Sequence, residues 1–359
     1  MPRPFPLLVA LAVLLLALQA DPPRTPPPLP VAPAILRLVA TGDVMMHADV
    51  KRAAREAEGG MATLWRDVTP LLAASDLAFA NLETPVAPRT GRPGVPYVFN
   101  APDDLPSALK KSGFSILATA NNHAFDQGGK GVLETLERLD AEGLAACGSG
   151  PDRARAEAPV FLERNGIKLA FLAFTDIFNM DLNRKHAGPW VSSLDPERAV
   201  EAVRAARALA DAVVVSVHWG IEDSHAPTER QRRVAASLVE AGASLILGHH
   251  PHVLQPVEWI ERNGNSAVVA YSLGNFISNQ NRVYRASAPV AAGDERDGAL
   301  LQVTFRRTGA HSLEIADLDV EPLWTENNWT ERAAGTSKKC EIRVIPIRRT
   351  EASLWPGVE

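Results

Sequence analysis

Five short segments of this chain gather side chains that could bind a metal or move a proton. They are Thr41-Gly42-Asp43, Asn81-Leu82-Glu83, Asn121-Asn122-His123 followed by Asp126, His218-Trp219-Gly220, and His249-His250-Pro251-His252. Each follows an apolar run that reads as a buried strand: 35–41, 76–81, 114–119, 212–217 and 244–248. A single polar strand end means little, because every strand must meet water somewhere. Five of them rich in His, Asn and carboxylate form a pattern, since ligands of open α/β sheets collect beyond the carboxyl ends of the strands. Together they supply two carboxylates, an amide and three or more imidazoles. Mixed nitrogen and oxygen ligation of that kind suits a pair of borderline divalent ions such as Mn, Zn or Fe. His250 and His252 flank Pro251, which favours an extended backbone at His250. Alternate residues of an extended segment share a side, so the two imidazoles are expected to converge, with His249 either a ligand or a support for one.

The elements that must position these groups alternate in type. Helical patterns occupy 61–74, 102–112, 129–142, 196–209 and 228–241, between the apolar runs. Asn165-Gly166 and Asn263-Gly264 are tight-turn signals, and they predict hairpins within 160–174 and ahead of a return strand at 266–275. Further strands are expected near 299–306 and 312–320, and 325–359 gives no clear pattern. Strands alternating with helices, plus two hairpins, describe an α/β protein with a mixed sheet or two packed sheets.

Composition narrows the chemistry. The 359 residues are 46% hydrophobic, which is globular and excludes a mainly disordered chain or a polytopic membrane protein. A balance of 42 acidic against 37 basic residues gives a net charge of -5 and argues against nucleic acid as a partner. Two cysteines cannot build a thiolate metal site, so a metal must be held by His, Asp, Glu or Asn. Cys147 and Cys340 could pair with each other after export. At the N-terminus, the apolar stretch from Leu7 to Leu18 reads as a signal peptide or short anchor within 1–20, and the proline-rich 21–34 as an extended tether. The expected localisation is therefore extracytoplasmic, secreted or tethered to the membrane. Arg52, Arg55, Arg89 and Arg92 could meet an anionic polymer, although each alone fits a solvated surface. Glu222 and Asp223 near His218 could act as acid or base, although an exposed loop pair fits them better.

Six segments in order, GDVMMH (42–47), DLAFANLETP (76–85), NNHAFDQG (121–128), HWGIE (218–222), GHHPHVLQPVE (248–258) and YSLGNF (271–276), resemble the motif series of the CapA proteins. That family is associated with bacterial poly-γ-glutamate capsule synthesis and is similar in turn to the calcineurin-like metallophosphoesterases. The resemblance spans roughly residues 36–280. It implies a four-layer αββα sandwich with mixed sheets, here residues 35–322, with 323–359 as an extension of unassigned structure. It implies Asp43 as a ligand of a first metal, Glu83 as a bridging carboxylate, Asn122 and His218 on a second metal, and His250 and His252 completing the pair. His123 falls where phosphoesterases place a histidine that aids the leaving group, with Asp126 to orient it. Gly274, Asn275 and Phe276 match a turn that supports the site. Two positions depart from the phosphoesterase pattern: Met45 stands where a histidine is usual, with His47 two residues beyond, and Asn81-Leu82-Glu83 replaces an Asp-containing second motif. The departures bear on activity and on occupancy of the first metal position, not on fold. The implied function is an exported protein of poly-γ-glutamate synthesis with a two-metal, hydrolase-type site. The alternative is a non-catalytic, membrane-tethered component that binds or assembles polyanion. Implied partners are poly-γ-glutamate or another anionic surface polymer, with membrane-bound polymer-synthase components as an option.

Overall fold

The computed structural model describes residues 34–183, 188–284, 290–309 and 312–347. The expected export segment, the tether up to residue 33, His186, His311 and the tail from 348 lie outside them. Strands β1 (Ile35–Val44), β2 (Leu77–Leu82), β3 (Ile116–Ala118) and β4 (Ala145–Cys147) come first, followed by the short β5 (Ser149–Gly150). Then come β6 (Val160–Arg164), β7 (Ile167–Thr175), β8 (Trp190–Val191), β9 (Ala212–His218) and β10 (Leu245–His249). The series ends with β11 (Val257–Arg262), β12 (Asn265–Ala270), β13 (Asn275–Ile277), β14 (Asp297–Gly309), β15 (Ser312–Asn327) and β16 (Ile342–Pro346). The helices are α1 (Ala48–Glu56), α2 (Thr69–Ala73), α3 (Leu105–Lys111), α4 (Gly128–Ala141), α5 (Arg153–Glu157), α6 (Pro196–Arg207), α7 (Glu229–Glu240) and α8 (Trp329–Ala333).

Two mixed sheets form the centre. The first has the order β16-β15-β14-β1-β2-β3-β4, with β13 also paired to β1, and the second β11-β12-β10-β9-β7-β6. Within the first, β1 to β4 run parallel; within the second, β7, β9, β10 and β12 do. Parallel strands are covered on both faces and so read as continuous apolar runs; β2 and β9 are buried at every position. The inner faces meet in one core, with Leu36, Leu38, Phe79 and Leu301 from one sheet against Phe171, Val214, Leu247 and Val268 from the other. Outside the first sheet Val50, Trp65 and Leu109 of the α1–α3 region pack on Val39 and Ala78. Outside the second, Val203 of α6 and Leu238 of α7 pack on Val213 and Ile246. Helices, sheet, sheet, helices: this is the expected αββα sandwich.

Both Asn-Gly hairpins form, with Asn165 and Gly166 at φ 53° and 73° and Asn263 and Gly264 at 48° and 82°. Those paired positive angles are what a two-residue turn of this twist requires. Three expectations change. The helix expected over 61–74 divides into a 3-10 turn at Met61–Trp65 and α2, where Pro70 has no N–H to continue a ladder. The strand expected over 266–275 divides into β12 and β13. Gly274, at φ 63°, turns the chain out of the second sheet so that β13 pairs with β1 of the first. Beyond residue 322, where sequence offered no pattern, the end of β15 and all of β16 extend the first sheet to its edge. Cys147 and Cys340 are free and buried in different cores, so the pairing considered from sequence does not form. Among the described residues no helix is long and apolar enough to cross a membrane.

Candidate metal centre

Side-chain alternation decides which residues can enter the space between the sheets. On β2, Leu77 and Phe79 face the inner core, so Asn81 and then Glu83 follow on that side. The same counting carries Ala212 and Val214 to His218, Leu245 and Leu247 to His249, and Ile116 and Ala118 to Asn122. Strand β1 would fail this test without a correction. Leu36, Leu38 and Ala40 face inward, which would turn Asp43 outward toward the helices. The register against β2 shifts between Ala40 and Asp43, a bulge of one extra residue that reverses the faces. Val44 accordingly joins Val39 in the outer core, and Asp43 enters the site. Gly42 makes the bulge possible beside β13, since a Cβ there would fall 1.9 Å from the Gly274 carbonyl oxygen.

The carboxylates of Asp43 and Glu83 are fully buried within this space. Asn81 Nδ2 donates to Asp43 Oδ1 at 2.8 Å and to Glu83 Oε2 at 3.4 Å. Asp43 Oδ2 lies 3.2 Å from His252 Nδ1 and accepts from the His250 backbone N–H at 3.3 Å. Glu83 Oε1 sits 3.6 Å from His218 Nε2 and 3.8 Å from His252 Nε2. His218 Nε2 is also 3.0 Å from Asn122 Oδ1. Two triads of ligand atoms therefore form, Asp43-Glu83-His218 and Glu83-His250-His252, each with its atoms within 4.8 Å of one another. Glu83 belongs to both.

The backbone that delivers the last two histidines is not extended as the sequence suggested. His250 has φ 97° and His252 φ 59°, both in the region that L-residues avoid. Such angles cost on the order of 1–3 kcal/mol each and persist where surrounding structure imposes them. The imidazoles converge because this tight, strained turn folds them together, with ring centres 5.9 Å apart. Asn275, just after the Gly274 turn, holds His252 Nδ1 at 3.1 Å and donates to the His252 carbonyl at 3.3 Å.

The donor set fits divalent ions. Glu83 Oε1, His250 Nδ1 and both ring nitrogens of His249 are buried without a hydrogen-bond partner. His249 Nδ1 is 3.2 Å from Asp43 Oδ1, but not aligned for a hydrogen bond. Orphaned polar atoms of this kind are costly unless something else binds them. Protonation is uneven across the set: burial opposes a charge on His252, yet the Asp43 carboxylate holds its imidazole above the usual range. Burial opposes ionisation of Asp43, yet the imidazoles of His249 and His252 hold its carboxyl well below the usual range. Burial and then the Asp43 charge push Glu83 well above it. Burial and the neighbouring His250 ring keep His218 neutral, and burial and His252 hold His250 at about 4, so their ring lone pairs remain available.

The family described as "Bacterial capsule synthesis protein PGA_cap" matches residues 37–280. The chain belongs to that family. It is 33% identical over 282 residues to the "PGA biosynthesis protein CapA" of Bacillus subtilis, covering 78% of this chain and 70% of that protein. It is 30% identical over 328 residues to the "Capsule biosynthesis protein CapA" of Bacillus anthracis, covering 89% and 75% respectively. Among solved structures, a hypothetical protein from Thermus thermophilus aligns with a TM-score of 0.47 at 18% identity, over 80% of this chain and 98% of that one. A purple acid phosphatase from yellow lupin aligns with a TM-score of 0.39 at 10% identity, over 87% and 54%.

In this PGA_cap chain only some of the other residues marked by the sequence lie beside the triads. His123 Nδ1 is 2.8 Å from Asp126 Oδ2, which also accepts the Phe99 backbone N–H. The Phe99 ring packs between His123 and His47, with centres 4.5 and 5.0 Å away. His47 joins neither triad; it precedes α1 and accepts the Asn279 N–H at 3.3 Å. Met45 is buried. Arg52 and Arg89 are taken up by Glu56 and Glu137, and Glu222 and Asp223 lie exposed. Asn179 escaped sequence reasoning. It lies 3.4 Å from both His123 Nε2 and Asn122 Nδ2, just past the carboxyl end of β7. The clue available was that β7 is one more apolar run ending in polar residues.

Proposed function

We propose that this protein is an exported, metal-dependent hydrolase of poly-γ-glutamate synthesis. The support is the union of family and site: PGA_cap membership, two relatives named for PGA and capsule biosynthesis, and two ligand triads that share one buried carboxylate. Sharing is the observation that carries the reading, because a carboxylate common to two triads would let one side chain help hold two adjacent ions. Asp43, Glu83, Asn122, His218, His250 and His252 would hold the ions, of the Mn, Zn or Fe type. Such ions supply local positive charge that polarises an ester or amide and makes water acidic enough to attack near neutral pH. His123 holds Nδ1–H toward Asp126 and, in its doubly protonated form, gives the proton on Nε2 to the leaving group, ending as the neutral Nδ1–H imidazole. Asn179 and Phe99 fix the imidazole from two sides. Burial excludes bulk water from both carboxylates, which strengthens every charge interaction there.

The substrate bond is a phosphoester or a γ-glutamyl amide, and the polymer or another anionic surface polymer is the partner. Metal analysis after mild purification, followed by assays on a generic phosphodiester and on poly-γ-glutamate, tests the proposal. Bound divalent metal with turnover that His218→Ala removes is the expected result. A metal-free protein whose function survives His218→Ala would sink it. Tight metal binding without turnover would instead support an assembly role at the membrane.

A further inference from the structure

A cleft of about 1130 Å³ lies against α1, β15, β16 and α8, and no residue of the metal centre lines it. One wall carries Arg296, which is only 6% exposed. Its guanidinium carbon is 4.4 Å from the Trp324 ring centre and 5.7 Å from that of Tyr284. Its Nε donates to the Thr325 carbonyl at 2.6 Å, and among the described residues no carboxylate forms an ion pair with it. Taking a guanidinium out of water is costly unless it is paired. Two aromatic faces recover part of that cost, and the terminal N–H donors are left for the cleft. A planar fork of donors suits a carboxylate, which it can bind through both oxygens.

The rest of the lining carries both signs. Glu326 and Glu331 stand near enough to act on Arg296, while Lys339 and Arg343 supply positive charge, Arg343 lying 3.3 Å from both Glu326 Oε2 and Asp67 Oδ2. A polyanion would be repelled by the glutamates and an amine by the bases. A small group bearing both charges is excluded by neither set, with its methylenes against Trp324 and Tyr284. We propose that this cleft binds an α-amino-acid zwitterion, its carboxylate on Arg296 and its ammonium toward the glutamates. Resting on the function proposed above, the ligand is glutamate, either free or as the amino-terminal residue of a γ-glutamyl chain. Only that end of such a chain keeps its α-amino and α-carboxylate groups together.

The test is calorimetric titration of the full chain, with tryptophan fluorescence in parallel, using L- and D-glutamate, γ-glutamylglutamate and N-acetylglutamate. Glutamate or the dipeptide is expected to bind, and N-acetylglutamate, which lacks the ammonium, to bind at least about tenfold more weakly. Tighter binding of the dipeptide identifies the chain end, and tighter binding of free glutamate identifies the monomer. Arg296→Lys keeps the charge but loses the fork, and should weaken binding by about tenfold or more. Glu326→Gln, at a more exposed position, should weaken glutamate and spare N-acetylglutamate. His218→Ala should leave binding unchanged, which separates this site from the metal centre whatever becomes of the hydrolase reading. The proposal is overturned if no probe binds at millimolar concentration, or if N-acetylglutamate binds as well as glutamate. It is equally overturned if both Arg296→Lys and Glu326→Gln leave affinity unchanged, or if His218→Ala abolishes binding.

Discussion

Asn275 shows how a residue outside the ligand set controls the centre. Its side chain fixes His252 through both Nδ1 and the backbone carbonyl, and it also donates to Gln280 Oε1 and the Glu295 carbonyl. Those contacts set which ring nitrogen of His252 faces Glu83. Supporting partners of metal-bound histidines typically contribute about 10–100-fold in metal affinity. Asn275→Ala should therefore weaken metal binding by about that factor while leaving the chain folded, as a competition titration with a chelating dye and a circular dichroism spectrum would show. Unchanged affinity would mean that the strained turn alone orients His252. His249 contrasts with Asn275, since both its ring nitrogens are buried without a hydrogen-bond partner, Nδ1 lying 3.2 Å from Asp43 Oδ1, and its backbone continues the strand register opposite His218.

At the scale of elements, α4 anchors the loop that leads from Glu83 toward Phe99. Glu134 on that helix is almost fully buried and accepts the Arg89 and Thr90 backbone N–H groups at 3.0 and 2.7 Å. It also accepts the Thr90 hydroxyl at 2.7 Å and Arg138 Nε at 2.9 Å. Burial works to raise its carboxyl, but these donors prevail and hold it at about 2. A carboxyl depressed on folding stabilises the protein above its unfolded value of 4.5, and that contribution is lost as pH falls toward about 2. Glu134→Gln should cost about 1–3 kcal/mol at neutral pH, because buried donors lose a charged acceptor. The difference in urea midpoint between the variant and the parent should then shrink between about pH 4.5 and pH 2. A difference that stays constant over that interval would show that the carboxylate charge contributes nothing.

For the whole molecule, the candidate metal centre lies between two sheets and draws on strands of both, so ion binding there would be linked to folding. An ion that binds only the folded state adds about 2.7 kcal/mol when present at a hundredfold excess over its Kd. Removing metal with a chelator should lower Tm, and adding back Mn or Zn should restore it in proportion to the logarithm of concentration. A Tm indifferent to both treatments would argue that no ion bridges the sheets. The long edge formed by β14, β15 and β16 should be much less sensitive, because none of its residues reaches the triads.

Much of this arrangement is decided locally and can be read along the chain. Apolar runs specify parallel strands because both faces are covered, and Asn-Gly pairs specify hairpins because few other residues accept their angles. Polar residues at the strand ends then mark the end of the sandwich where a site belongs, and the ordered motifs resemble one family. Face, partner and strain were decided by tertiary contacts. The bulge at Thr41-Gly42 turns Asp43 inward only because β13 returns alongside β1. His250 and His252 converge through left-handed angles that no local preference favours. Asn179 reaches His123, Arg296 meets Trp324 and Tyr284, and β16 joins β15 only when distant segments pack together. Sequence determined the inventory of ligands and the strands that carry them, because those follow from short-range sterics and burial. The three-dimensional packing determined that Glu83 is shared by two triads, because that depends on how far apart the two sheets come to rest.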